Sequence, residues 1–196
     1  MGLFSGPDVA QLKADRDFRG LADALGNRKA RDEAIEAIAE LGSPDAVLPV
    51  MSQAAGAKPA TLAACGEALQ RLGRPAVDGL LQVIEDDPDG QALRAAAGLG
   101  ELDPALATPA LRELAGSEDP MRRVYAGVGA GALGTDEAVD MLAGQLDDDE
   151  LVVRINAVGK FGLPATGNPK AQEALRRAAT HDPEQPVREL ASGFVR

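Results

Sequence analysis

The side chains able to do catalytic chemistry are few in this sequence, and each stands alone. His181 is the only histidine and Cys65 the only cysteine among 196 residues. A zinc site needs several such ligands, and a Ser-His-Asp triad needs a histidine beside its nucleophile. Because His181 lies in a Thr-His-Asp-Pro turn, we interpret it as a solvated turn residue. The sequence therefore predicts no catalytic residue, no metal ligand and no cofactor.

Cys65 has the spacing of a core residue. It falls on the same side of a predicted helix as Leu62, Leu69 and Leu72, which favours a buried thiol over a nucleophile. A single cysteine provides no disulfide framework, so we expect a reducing, cytoplasmic setting.

Two short motifs imitate ligand-binding loops without their context. The range 129–134 matches G-x-G-x-x-G, but that dinucleotide motif follows a strand, whereas residues from Pro120 onward have helical periodicity. Small residues that let two helices approach closely explain these glycines better. The range 85–90 is similar to a calcium loop, yet Ala96 stands where a bidentate glutamate is required. The acidic run 147–150 is interpreted as a turn that favours the N-terminal end of the next helix.

Composition and charge narrow the class of partner. Apolar residues make up 45% of the chain and aromatic residues only 3%, which suits helices packed closely along their backbones. The formal net charge of -11 repels phosphate backbones, so we expect no nucleic-acid partner and an attraction to basic partners. No apolar run approaches the roughly 18 residues of a membrane span, so we expect no membrane partner. The chain is expected to act as a monomer that binds another protein.

The chain is organised as a repeat of helical hairpins. Apolar spacing predicts helices over 120–133, 136–146 and 150–161, and the same unit can be laid over most of the sequence. A helix over 28–41 is predicted to begin at an N-cap, Asn27. The longer helices are predicted to end at glycines about 27 to 34 residues apart, namely Gly42, Gly73, Gly100, Gly134 and Gly162.

We predict a single domain over residues 1–196. Residues 1–14 form a short N-terminal cap, and 15–196 form about six stacked hairpins, each too small to bury its apolar face alone. Leu72 and Leu133, which directly precede two of the terminal glycines, are predicted to be core residues.

Arginines recur near the starts of the second helices, close to acidic turns. Recurrence in register is what stacking geometry requires, so we predict a ladder of Arg-to-Asp or Arg-to-carbonyl contacts that ties neighbouring repeats together. The alternative, recognition of a ligand, is less favoured. The arginines are Arg31, Arg123, Arg154 and Arg188.

Short segments also recur at the same places in this repeat. In the second helices they are 153–157 followed by Phe161 and Gly162, 187–191, 30–34 and 123–126, and at the start of the next first helix they are 43–47 and 135–139. These segments resemble HEAT-like repeats, especially the kind named after phycobilin lyases. The resemblance covers nearly the whole chain and implies an all-α fold, a right-handed α-α superhelix.

The resemblance implies a scaffold rather than a particular activity. Hydroxylases built on HEAT-like repeats require several His-Glu pairs, which a chain with one histidine does not supply. We therefore expect that this protein is not an enzyme. Cys65 and Ala92 stand where Arg154 stands in its own repeat, so the middle repeats are expected to be irregular in register.

The exposed face of the second helices is the predicted binding surface, because it lines the concave side of such arrays. Positions two, six and nine before each terminal glycine avoid the apolar stripe. The residues at these positions are Glu33, Glu36, Glu40, Glu67, Arg71, Gln91, Arg94, Tyr125, Asn156 and Lys160.

Three functions follow from this interpretation. The favoured one is a protein-interaction scaffold or adaptor. A bilin lyase-like protein or a carrier of a small ligand or chromophore is the alternative, although few aromatic residues are available to line such a site. Nucleic-acid binding, as in HEAT-like glycosylases, is opposed by the net charge and by the lack of a basic stripe.

Overall fold

The computed structural model describes residues 6–87, 90–161 and 168–195. Within these ranges the chain consists of α-helices, one 3₁₀ turn and short connections, with no strand. The residues cluster into two compact units, Met1–Glu85 and Asp86–Arg196, here called unit 1 and unit 2. The all-α fold expected from the sequence is confirmed, while the single domain over 1–196 stays a prediction.

Unit 1 begins with the predicted cap helix and continues as helical hairpins. Its second helices, α3 and α5, pack against each other, and the first helices α2 and α4 pack on them. The helices are α1 (Val9–Ala14), α2 (Phe18–Ala24), α3 (Arg31–Leu41), α4 (Val47–Ala54), preceded by a 3₁₀ turn (Pro44–Ala46), α5 (Pro59–Leu72) and α6 (Arg74–Asp86).

Unit 2 has two layers. The second helices α7, α9, α11 and α13 pack side by side in that order, and the first helices α8, α10 and α12 form the other layer. Their bounds are α7 (Ala92–Gly100), α8 (Pro104–Ala115), α9 (Pro120–Leu133), α10 (Asp136–Gln145), α11 (Leu151–Phe161), α12 (Pro169–His181) and α13 (Gln185–Ser192).

Local capping explains why α9 begins and ends where the sequence predicts. The Asp119 carboxylate accepts a hydrogen bond from the Met121 amide at 2.8 Å, and Pro120 occupies the first turn. Gly134 ends the helix in the left-handed conformation, with φ of 64°. The same arrangement of cap and proline begins α8, where Asp103 accepts from the Ala105 amide.

Two predicted details are wrong or lie outside the described residues. The helix predicted over 28–41 begins at Arg31, because the Asn27 side chain accepts from the Lys29 amide and holds a turn instead of capping a helix. By contrast, α7 ends at Gly100 as predicted, although this glycine is not in the left-handed conformation. Gly162 and residues 88–89 of the acidic turn are not among the described residues.

Gly100 serves a close helix crossing. A Cβ atom added to Gly100 would lie 2.1 Å from the carbonyl oxygen of Gly129, and one added to Gly129 would lie 2.8 Å from the carbonyl oxygen of Ala96. Gly129 of the 129–134 motif is therefore part of a close contact between α7 and α9, as the sequence predicted, whereas Gly131 faces Lys160 of α11 and Gly134 is a helix terminator.

Small aliphatic side chains form the core of each unit. Leu72 is buried in unit 1, as predicted, and so is Cys65, whereas Leu62 is exposed rather than buried beside it. In unit 2 the cluster around Phe161 and Leu175 is buried, and Leu133 is only half-buried where it packs against that cluster. We therefore expect Leu133 to contribute less to stability than Leu72.

Candidate protein-binding face and arginine ladder

Arg154 forms the most buried polar contact of the predicted ladder. Its Nε donates to the Asp182 carboxylate at 2.9 Å, and the two side chains are only 8% and 3% exposed. Its Nη1 donates to the carbonyl oxygens of Asp148 and Asp149, at 2.9 and 3.1 Å. One guanidinium thus binds the turn before its own helix and the turn of the following hairpin.

Arg123 repeats this arrangement one hairpin earlier. Its Nε and Nη2 donate to the two carboxylate oxygens of Asp148, at 2.7 and 2.9 Å, and its Nη1 donates to the carbonyl oxygens of Ser117 and Glu118. The hydrogen bond from Arg123 lowers the pKa of the Asp148 carboxyl below its ordinary value. Asp148 also accepts from the Glu150 amide, which orders the start of α11.

The outer arginines form only part of the pattern. Arg188 donates to the carbonyl oxygens of Asp182 and Pro183, and Arg31 donates to the carbonyl oxygen of Leu25 at 2.9 Å. The ladder is confirmed as a structural feature. Its guanidinium groups bind the protein's own carboxylates and carbonyl oxygens, which favours stacking over ligand recognition.

A cleft of about 420 Å³ lies beside the buried Arg154–Asp182 pair in unit 2. It is lined by Asp147, Asp149, Arg177 and His181, together with the Arg154–Asp182 pair. Arg177 binds the carboxylate of Asp147 at 2.9 Å, and Nδ1 of the exposed His181 lies 2.6 Å from the Thr180 hydroxyl. His181 is therefore exposed, as the sequence predicted, although it is the last residue of α12 rather than part of the turn that follows.

The predicted face in unit 1 is charged and partly self-paired. Glu33 and Glu36 are exposed on α3. Glu40 is paired with Lys13 of α1, and Glu67 and Arg71 form an ion pair at 2.8 Å along α5. These residues lie on the second helices as expected, and their part in binding stays a prediction.

The predicted face in unit 2 is more polar than charged, and part of it holds helices together. Asn156 donates to the carbonyl oxygen of Val124 at 3.2 Å and so ties α11 to α9. Lys160 is half-buried, and its side chain lies over Gly131 of α9. Partial burial, with the charges of Asp87 and Asp119, raises the pKa of the Tyr125 phenol. The remaining members of the set are Gln91, which is half-buried, and Arg94, which is exposed.

Exposed apolar side chains on the second helices were missed by the sequence analysis. In the described ranges every large apolar side chain that is exposed lies within the first six residues of a second helix, and none lies on a first helix. The pair 151–152 could have been found, because two apolar residues that precede the core position Val153 cannot all face one side of a helix. These side chains are Leu62 in unit 1, and Leu93, Met121, Leu151, Val152 and Leu190 in unit 2.

Other candidate chemistry finds little support in the part of the chain that is described. Burial raises the pKa of the Cys65 thiol, which makes the thiolate nucleophile less available. No group of three or more His, Cys, Asp or Glu side chains is placed to hold a metal ion within 6–87, 90–161 and 168–195. None of the helices described combines the length and the apolar character that a membrane span requires.

Comparison with known families identifies the repeat. A model of HEAT repeats matches residues 18–97 and 77–160. None of the curated proteins matches the sequence. The first match confirms the resemblance to HEAT-like repeats that the helix-start segments indicated.

A similar solved structure corrects one expectation. The structure of human deoxyhypusine hydroxylase in complex with glycerol is 23% identical in sequence, with 95% of this chain and 75% of that chain covered and a TM-score of 0.48. The expectation that the present chain is not an enzyme is wrong as stated, because the similar structure is that of an enzyme. At this identity the likeness concerns the fold, and no activity is transferred from it.

Proposed function

The chain belongs to the HEAT-repeat family, and from that premise we propose that it is a protein-interaction scaffold whose second helices bind a partner protein. Arrays of this kind present long surfaces that match an extended partner. The proposal includes a cytoplasmic setting, since the one thiol is buried and unpaired with any second cysteine. It excludes nucleic acid as the partner, since the net charge is -11.

The placement of exposed apolar side chains carries the proposal. A large apolar side chain held in water costs free energy, and contiguous patches of such side chains mark interaction sites. In unit 2 they lie on four successive second helices, α7, α9, α11 and α13, which pack side by side. In the first-helix layer described here no large apolar side chain is exposed. This asymmetry favours one side of the array as the binding face.

The test compares variants of that face in a pull-down from native lysate. One variant, Met121→Ser with Val152→Ser, removes apolar contacts in unit 2. A second variant, Glu36→Ala with Glu67→Ala and Arg94→Ala, changes the charged positions predicted from the sequence. The control, Gln82→Ser with Glu113→Ser, changes exposed residues of the first helices α6 and α8. Circular dichroism melting checks that every variant is folded.

We expect a protein that is retained by the wild type and the control and lost by at least one second-helix variant. A protein retained equally by all four forms would contradict the proposal. Retention of a coloured or small ligand and no protein would also contradict it, and would favour a ligand carrier instead.

A further inference from the structure

We infer that the partner binds unit 2 through a segment with two apolar anchors about 10 Å apart, flanked by Lys or Arg, which docks on the starts of α9 and α11. This inference rests on the proposed function and names the chemistry of the partner.

The apolar part of the surface occupies the same position on two neighbouring helices. Met121 is the second residue of α9 and Val152 the second residue of α11, and they are 42% and 45% exposed. Leu151 lies beside Val152 and is also exposed. The two helices are tied one turn further along, where Asn156 donates to the carbonyl oxygen of Val124. Packed helices lie about 8–10 Å apart, so Met121 and Val152 form two adjacent apolar sites, here called the footholds.

Carboxylates form one edge of this surface. Each apolar residue follows an acidic turn in the chain, and Glu118, Asp119, Asp149 and Glu150 are all exposed there. Clustered acids at an exposed edge attract cationic groups and repel phosphate or anionic lipid. The charge of the edge therefore selects a basic segment over a nucleic acid or an anionic membrane.

The nearest cations are already engaged. Arg123 is half-buried and binds both carboxylate oxygens of Asp148. Arg122 is half-buried as well and has interactions of its own. Because Arg123 binds Asp148 and Asp119 caps α9, the exposed carboxylates that remain available to a partner are those of Glu118, Asp149 and Glu150.

The distance between the two footholds sets the spacing of the apolar residues in a partner segment. Anchors about 10 Å apart correspond to residues i and i+7 of a helix, or to i and i+3 of an extended chain. Apolar anchors supply the desolvation energy, and basic residues beside them set orientation and association rate.

The experiment selects ligands from a phage-displayed library of random 16-residue peptides on the full chain. Recovered peptides are then synthesised and measured by fluorescence anisotropy against variants. Met121→Ser with Val152→Ser removes the apolar footholds. Glu118→Gln with Asp149→Asn and Glu150→Gln removes three of the four edge charges and keeps Asp119, which caps α9. The matched control, Glu113→Gln with Glu137→Gln and Glu173→Gln, removes the same number of charges from the first helices.

We expect peptides rich in Leu, Ile or Phe together with Lys or Arg. Their affinity should fall at least about tenfold in the foothold variant, the loss expected for a hot-spot residue. In the edge variant it should fall about threefold to tenfold at 50 mM salt and little at 500 mM, because salt screens exposed charges. The control should bind as the wild type does.

Three results would overturn the inference. Recovered peptides that are acidic, or that bind the foothold variant as tightly as the wild type, would show that this surface is not the site. If such peptides lost affinity in the Glu36, Glu67 and Arg94 variant, the scaffold function would stand and only this inference would fall. If no peptide were enriched and no protein were captured from lysate, both would fall.

Discussion

The two units are built from the same kind of hairpin, but the contacts that join neighbouring hairpins within unit 1 differ from those within unit 2. In unit 2, Arg123 and Arg154 each bind an aspartate of the following turn. In unit 1, Arg31 binds the carbonyl oxygen of Leu25 and no aspartate among the described residues, and Cys65, buried among apolar residues, stands where α5 would carry its arginine. Apolar packing is therefore sufficient to join hairpins, and the Arg–Asp pairs are an addition found where the turn supplies an aspartate.

The exposed faces of the second helices differ in the same way. In unit 1 the face is charged, and its one exposed large apolar side chain within the described residues is Leu62. In unit 2 such side chains recur on four successive second helices. A partner that needs desolvation energy would find it mainly in unit 2, while the face of unit 1 offers carboxylates.

The largest effect on the free energy of unfolding is expected when the buried Arg154–Asp182 pair of unit 2 is broken. Arg154→Ala leaves the Asp182 carboxylate buried without its cation, and we expect a loss of about 3–5 kcal/mol in the free energy of unfolding. The matched change in unit 1, Arg31→Ala, loses one hydrogen bond to a carbonyl oxygen and should cost about 1 kcal/mol. Urea unfolding followed by circular dichroism measures both.

A double variant sharpens this first test. Arg154→Met with Asp182→Leu removes both charges, so it should be clearly more stable than Arg154→Ala alone. If Arg154→Ala and Arg31→Ala lowered the free energy of unfolding equally, the proposed difference between the hairpin contacts of the two units would be wrong.

Core leucines provide the next comparison. Leu72→Ala in unit 1 should cost about 2–5 kcal/mol, because the side chain is buried and its removal leaves a cavity. Leu133→Ala in unit 2 should cost about 1–2 kcal/mol, because part of that side chain is already in water. Urea midpoints of the two variants would settle the order, and a cost below about 0.5 kcal/mol for Leu72→Ala would contradict the helical register.

Glycine substitutions should have opposite signs in the two units. Gly100→Ala places a Cβ 2.1 Å from the carbonyl oxygen of Gly129 and should destabilise unit 2 by about 1–3 kcal/mol, since two backbones must separate. Gly66→Ala, in α5 of unit 1, meets nothing within 4 Å and should stabilise by about 0.5–1 kcal/mol. Thermal melting reports both, and a stabilising Gly100→Ala would disprove the close approach of α7 and α9.

The smallest effect on stability is expected from acid, which should weaken the contact between Arg123 and Asp148. The pKa of this carboxyl is lower in the folded protein than its ordinary value of about 3.9, so its contribution is complete above that value and is lost as the pH falls below about 4. Asp148→Asn should therefore reduce the loss of stability between pH 5 and pH 3. Asp78→Asn, which removes an exposed carboxylate of unit 1, is the control. If Asp148→Asn and the wild type lost the same stability between pH 5 and pH 3, the Arg123–Asp148 contact would not contribute as proposed.

Helices and their caps were largely predictable because their causes are local. Asp119 and Pro120 begin α9 and Gly134 ends it, all within one stretch of sequence. The prediction failed where a local pattern had two solutions. Asn27 could cap a helix or hold a turn, and it holds a turn. Gly100 ends α7 as predicted, and it also permits a close crossing with α9 that its position in the sequence did not reveal.

The candidate surface was predictable only in part. The sequence placed the binding face on the second helices from periodicity, and its ten residues remain a prediction. It missed Met121 and Val152, because helical periodicity identifies the side that faces the core and does not tell which other positions a neighbouring helix covers.

The sequence by itself determined the helices, the repeat and the arginine contacts with carbonyl oxygens five and six residues earlier, since all of these depend on short-range geometry. Only the tertiary structure decided which aspartate each guanidinium binds. Asp148 and Asp182 lie 25 and 28 residues beyond their arginines and reach them only when neighbouring hairpins stack. Packing likewise decided which apolar side chains stay in water, because burial depends on the area that neighbouring helices cover.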